Sequence, residues 1–273
     1  MGDYVELHGV RTWYEAEGEG DPLLLLHGGL CTNETWSPQR SDLAARFRVH
    51  LPERRGHGHT PDVDGPISYQ DMAEDTAAFV ESVVGGPAHL VGWSDGGIVA
   101  LLLALARPDL VRKVVAVGVN FRPAPESQAV PGLLDHMAPD APELAVFRDM
   151  YAATSPDGAD HWPVVAGKLI DMFRTQPTLT PEDLARIAAP TLVLVGDDDV
   201  ISLEHTITLY RALPDAELAV LPRSSHALLM EKPEQANRLV IDFLTQAPAP
   251  TMFPVRRARA VPAGTGDAGT TQA

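Results

Sequence analysis

One cysteine, Cys31, stands in 273 residues, so the chain can form no internal disulfide and no cysteine-rich zinc site. Lysine is scarce as well: it supplies 3 of the 21 basic residues, which face 37 Asp and Glu for a formal net charge of −16. A chain so acidic offers no basic patch to nucleic acid or to an anionic membrane surface. The longest apolar run, residues 98–106, is under half of the roughly 20 residues that a membrane-crossing helix needs. The opening residues, Met1-Gly2-Asp3-Tyr4-Val5-Glu6, are acidic rather than apolar, and Glu6 spoils a myristoylation pattern. The expected location is therefore cytoplasmic. Against these absences stands a composition of 45% hydrophobic and 21% charged residues, as in a soluble globular domain with a large core of its own.

Short apolar runs alternate with helical stretches. Residues 23–26, 89–91, 114–117, 191–195 and 218–221 suit strands buried on both faces. Residues 4–7 and 11–17 alternate like an antiparallel hairpin. Between them lie helical segments: one from the capping-box-like Ser68-Tyr69-Gln70-Asp71 to about Val84, one over 97–107 stopped by Pro108, and others at 204–213 and 233–244. Thr180-Pro181 marks a further start, with a Thr cap and Pro in the first turn. This rhythm predicts an α/β architecture, a mostly parallel sheet covered on both faces. Residues 121–180 interrupt it with helical patterns at 142–154 and 160–175, read as a helical lid inserted after the sixth strand. The expected organisation is a core of 1–120 and 181–246, a lid of 121–180, and a disordered tail of 247–273 rich in Pro, Ala, Gly and Thr.

The strongest chemical signal is Gly92-Trp93-Ser94-Asp95-Gly96-Gly97, a G-x-S-x-G between a strand and a helix. A serine on so sharp a turn exposes its hydroxyl beside a helix N-terminus, where an oxyanion would be stabilised. It needs a base, and the base an orienting acid. His226 follows the strand 218–221, and Asp197-Asp198-Asp199 follow the strand 191–195; both lie at the edge that carries Ser94. Three aspartates compete for the acid. Asp199 is the choice, with Asp197 and Asp198 as turn residues. The loop Leu26-His27-Gly28-Gly29-Leu30 ends an earlier strand, and the N–H groups of Gly29 and Asp95 are the expected oxyanion donors. His27 is then structural. Cys31 has no activating neighbour in the sequence, and His57 and His59 lack the partners of a metal site. Leu30, Trp93, Phe121 and Trp162, with Trp36, are candidates to line an acyl pocket.

These pieces together resemble the α/β-hydrolase superfamily over about residues 4–246: His27-Gly28-Gly29, Arg55-Gly56-His57-Gly58, the elbow at Ser94, Gly196 to Asp199, and Ser225-His226. The resemblance implies the α/β-hydrolase fold and supports Asp199 as the acid, since the fourth residue of the G-D-x-D turn is the usual one. Glu53 departs from the Asp that relatives often carry in D-x-R-G-x-G, a change expected to be structural. Ser94 argues against the haloalkane dehalogenase and epoxide hydrolase branches, which use Asp as nucleophile. The elbow also resembles that of the biphenyl-hydrolase-like amino-acid-ester hydrolases, in which an Asp beside the nucleophile holds a substrate ammonium; Asp95 stands at that position.

The expected function is hydrolysis of a small carboxylic ester through an acyl-enzyme on a Ser94–Asp199–His226 triad, with no cofactor and no metal. Lactone or C–C bond hydrolysis and perhydrolysis use the same groups and stay open, as does a non-hydrolytic cyclase or ligand-binding protein on the same fold. The partner implied is a small ester-like molecule, not nucleic acid or membrane. Oligomeric state leaves no mark in the sequence.

Overall fold

In a computed structural model, which describes residues 2–248 and 250–256, the chain alternates strands and helices. The strands are β1 (Asp3–Leu7), β2 (Val10–Glu17), β3 (Asp21–Leu26), β4 (Phe47–Pro52), β5 (Ala88–Trp93), β6 (Val111–Val117), β7 (Thr191–Gly196) and β8 (Ala216–Leu221). The helices are α1 (Ser37–Ala44), α2 (Tyr69–Phe79), α3 (Asp95–Ala106), α4 (Ala145–Thr154), α5 (Trp162–Thr175), α6 (Pro181–Leu184), α7 (Leu203–Ala212), α8 (Leu228–Glu231) and α9 (Pro233–Thr245). The strands form one sheet in the order β1-β2-β4-β3-β5-β6-β7-β8. β1–β2 and β2–β4 pair antiparallel, and every later pairing is parallel. This is the α/β-hydrolase fold expected from the sequence, with a helical insertion between β6 and β7.

The run Leu23-Leu24-Leu25-Leu26 explains the layering. Successive strand side chains point to opposite faces. Leu24 and Leu26 enter the core beneath α2 and α3, while Leu23 and Leu25 enter the core beneath α1 and α9. A strand covered on both sides has no polar face to show, hence four leucines in a row.

Three elements carried too little pattern to be anticipated: β4, Phe-Arg-Val-His-Leu-Pro, α1 and the four-residue α8. In β4, Arg48 is exposed while His50 is buried with its ring edge-on to Phe79, centroids 6.1 Å apart. Alternating polar residues hide a strand that lies between β2 and β3.

The insertion is anchored by an apolar stripe. Trp162, Val165, Leu169 and Met172 lie on one face of α5 and join the same core as Leu30 and Ile67. At its outer side Asp62 receives Lys168 Nζ at 2.7 Å and His161 Nε2 at 2.8 Å, tying α5 and the turn before it to the loop after β4. After α9, Arg256 lies over the Tyr210 ring, 4.5 Å from its centroid, and donates to the carbonyls of Ala216 and Tyr210 at 2.9 and 3.1 Å. The remainder of the expected tail, 257–273, lies outside the described residues. Among the described residues no helix is long and apolar enough to cross a membrane.

Candidate active site

β5 ends at Trp93 and α3 begins at Asp95, leaving Ser94 alone to reverse the chain. It does so at φ 53° and ψ −119°, a region that costs a non-glycine residue about 1–3 kcal/mol. The turn is held by Ser94 N–H donating to Val117 O at 2.7 Å and by Gly97 N–H donating to Ser94 O at 2.8 Å. Both flanking glycines are sterically required. A Cβ on Gly92 would collide with the backbone of Gly96, and one on Gly96 with the carbonyl of Leu26.

His226 and Asp199 arrive from the loops after β8 and β7. Nδ1 of His226 lies 2.8 Å from Oδ1 of Asp199, which also accepts the Ile201 N–H at 2.9 Å. With Nδ1 committed, Nε2 is the ring atom left for proton transfer. The pair sits against Gly118 at the end of β6, where φ is +59°; a Cβ there would lie 2.9 Å from His226 Nδ1 and 3.2 Å from Asp199 Oδ2. The three aspartates separate cleanly. Asp199 is 5% exposed, whereas Asp197 and Asp198 are exposed. Backbone N–H groups of Arg223 and Ser224 hold the Asp197 carboxyl below its usual range, Ser224 donating at 3.1 Å.

Ser94 and His226 line one cavity of about 200 Å³. Gly29, Leu30, Tyr69 and Asp95 border it from the core. The insertion contributes Leu133, Leu134, Met137, Leu144, Phe147 and Phe173, and the loop after Asp199 contributes Val200 and Ile201. None of these insertion residues could be singled out in advance, because each is an ordinary apolar residue without a motif.

The loop after β3 is organised by histidines. His27 Nε2 accepts the Arg54 N–H at 3.2 Å, so its Nδ1 carries the proton and donates to Gly28 O at 2.8 Å. Burial, with Arg54 next, holds His27 well below its ordinary value. His57 Nε2 accepts the Leu30 N–H at 3.1 Å, fixing Leu30 at φ 60°. That bond occupies the Leu30 amide, whereas the Gly29 amide makes no backbone hydrogen bond among the described residues. The Gly-His-Gly spacing is the sequence signal for His57, whose part here is to brace the loop after β3. Glu53 proves to be a buried staple: its carboxylate accepts the N–H groups of Asn33 at 3.1 Å and His59 at 2.7 Å. Burial pushes the Cys31 thiol up to about 12, so it is no nucleophile.

Of the four pocket candidates, Leu30 borders the cavity and the three aromatics do not. Trp93 follows the strand into the opposite core, where its ring covers Gly28 and its Nε1–H donates to His226 O at 2.8 Å. Phe121 is fully buried and stacked on His205, centroids 4.1 Å apart. Trp162 donates to Pro139 O at 2.7 Å and packs on Tyr151 within the insertion. Trp36 is 1% exposed in the core beneath α1 and α9. Large rings in a sequence mark burial at least as often as they mark a binding site.

Known proteins resemble this chain in sequence or in fold. The human (Homo sapiens) serine hydrolase BPHL is 28% identical over 253 residues, covering 88% of this chain and 85% of its own. A pimeloyl-[acyl-carrier protein] methyl ester esterase of Nitrosospira multiformis is 25% identical over 261 residues, covering 86% of this chain and 98% of its own. The crystal structure of an enol-lactonase from Burkholderia xenovorans superposes with a TM-score of 0.73 at 22% identity, covering 89% of this chain and all of that one. The family model for alpha/beta hydrolases matches residues 23–239, from β3 into α9. This chain is a hydrolase and belongs to the alpha/beta hydrolase family.

Proposed function

We propose that the chain is a serine hydrolase that cleaves small carboxylic esters by way of an acyl-enzyme. The observation that carries this reading is the Asp199–His226 hydrogen bond of 2.8 Å beside a cavity that His226 shares with the strained Ser94. His226 takes the Ser94 proton as the hydroxyl oxygen attacks the ester carbonyl. The Gly29 and Asp95 amides receive the oxyanion, each such donor contributing about 3–4 kcal/mol. The tetrahedral adduct expels the alcohol, which takes its proton from His226. Water, deprotonated by the same imidazole, then releases the acid and restores Ser94. Asp199 keeps the imidazole in one tautomer and balances its charge when protonated. Neither a cofactor nor a metal enters any step.

The insertion acts as a lid: its leucines, Met137 and the two phenylalanines roof the cavity and set an apolar acyl or alcohol group against Ser94. A cavity of about 200 Å³ suits a compact substrate.

Intact-mass labelling with a fluorophosphonate probe tests the reading. One adduct on the wild type, lost in Ser94→Ala, is the expected result. A folded protein that takes no adduct would overturn Ser94 as an activated nucleophile. A panel of esters, lactones and diketones, with and without peroxide, then separates ester cleavage from lactone, C–C and perhydrolytic chemistry.

A further inference from the structure

We infer that Arg54 is a built-in countercharge to Asp95, and that it tunes the acyl site to neutral acyl groups over ammonium-bearing ones. The inference rests on the ester-hydrolase reading above. Two neighbouring arginines in the loop after β4 take opposite directions. Arg55 reaches out to Asp75 at 2.8 Å. Arg54 turns inward and is 5% exposed. A buried guanidinium needs compensation. Its Nη2 donates to Gly28 O at 3.1 Å, while Nε and Nη1 have no partner among the described residues.

On the other side of the same loop lies a second orphan. Asp95 is 5% exposed; its Oδ1 accepts the Tyr69 hydroxyl at 2.8 Å, and its Oδ2 has no partner among the described residues. Gly29 fills the gap so closely that a Cβ there would lie 2.5 Å from Oδ2. Arg54 grips Gly28 and Asp95 abuts Gly29, so a guanidinium and a carboxyl group, which burial pushes up and Arg54 draws back down, flank the segment that presents the proposed oxyanion amide. The other groups facing Asp95 are Tyr69, Cys31 and His226. Burial holds the neighbouring His27 and His57 neutral. Arg54, lowered by burial only to about 10, is the cation that stands there at neutral pH.

The consequence is chemical. Asp95 supplies an oxyanion amide in the proposed mechanism, and a bare carboxylate beside it would oppose the negative charge of the transition state. Arg54 cancels that field through low-dielectric protein. The cancellation has a second effect. A substrate ammonium brought to Asp95 adds a second cation to an already balanced pair, whereas without Arg54 the ammonium would find an uncompensated carboxylate.

The test compares p-nitrophenyl isobutyrate with the p-nitrophenyl ester of alanine, which match in shape and differ in charge. Active sites are counted by fluorophosphonate labelling in every variant. Wild type should favour the isobutyrate in kcat/KM. Arg54→Met should move the ratio toward the alanine ester by about tenfold or more, the size of a one-unit charge interaction. Arg54→Lys should hold the ratio, and Asp95→Asn added to Arg54→Met should remove the gain. Asp95→Asn alone, which leaves Arg54 unbalanced, should raise the relative rate on a p-nitrophenyl succinate monoester; it decides the matter if Arg54→Met does not fold. A wild type that prefers the alanine ester overturns the inference, as does a labelled Arg54→Met or Asp95→Asn enzyme with an unchanged ratio. A wild type that takes no label overturns the ester-hydrolase reading instead.

Discussion

The indole N–H of Trp93 donates to the main-chain carbonyl of His226 at 2.8 Å. Trp93 is the residue before Ser94, so the elbow and the histidine loop are bolted together one residue away from the groups that would exchange a proton. Trp93→Phe keeps most of the ring's cover over Gly28 and removes this one donor. It should lower kcat by about tenfold or more, given that a shift near 1 Å costs up to about 10² in rate. Fluorophosphonate labelling should slow in parallel, with little change in melting temperature. An unchanged kcat would mean that the loop holds its register without the bond.

Replacing the buried and the exposed aspartate should have very different effects. Asp199→Asn loses the charge and the tautomer control on His226, and kcat should fall by about 10⁴. Asp197→Asn touches only the turn bonds to Ser224 and Arg223, so kcat should stay within a few-fold of wild type. Steady-state ester kinetics on the two purified variants decides between them; the reverse order would move the acid to Asp197.

Gly29→Ala places a methyl 2.5 Å from Asp95 Oδ2 and 2.7 Å from Phe173 Cζ. Asp95 and Phe173 must both shift to admit it, which moves the carboxyl beside this loop and a ring in the roof of the cavity. kcat/KM should drop by about 10² while thermal unfolding shows a folded protein. Wild-type kinetics in this variant would remove Gly29 from the oxyanion site.

Burial lowers five imidazoles from the ordinary 6.5: His27 well below it, His57 to about 3, and His50, His89 and His205 to about 4. The unfolded chain takes up protons below pH 6.5 that these folded sites refuse. Their contribution is therefore fully present above pH 6.5 and is lost progressively as the pH falls from 6.5 toward 4. Urea unfolding should show a clearly lower midpoint at pH 5.0 than at pH 7.5. Equal midpoints would show that the histidines titrate normally in the folded protein.

Where the chemistry is local, the chain announces it. A serine between two glycines, after a strand and before a helix, can only be a tight turn, because Gly92 and Gly96 leave no room for side chains against their own neighbours. The layered core was equally open to view, since Leu23 to Leu26 can be buried throughout only in a sheet covered twice. β4 was not, because Arg48 and His50 break its pattern. The aromatic pocket candidates misled for the opposite reason: a ring's size says that it is buried, not against what.

Composition and short-range spacing thus determined the fold family and singled out Ser94, His226 and a run of three aspartates as candidates, because turn geometry and strand ends act over a few residues. Which aspartate meets His226, which apolar residues face Ser94, and that Arg54 lies across a glycine loop from Asp95 were settled by folding. These are contacts between segments far apart in the chain, brought together by packing that leaves no periodic trace in the order of residues.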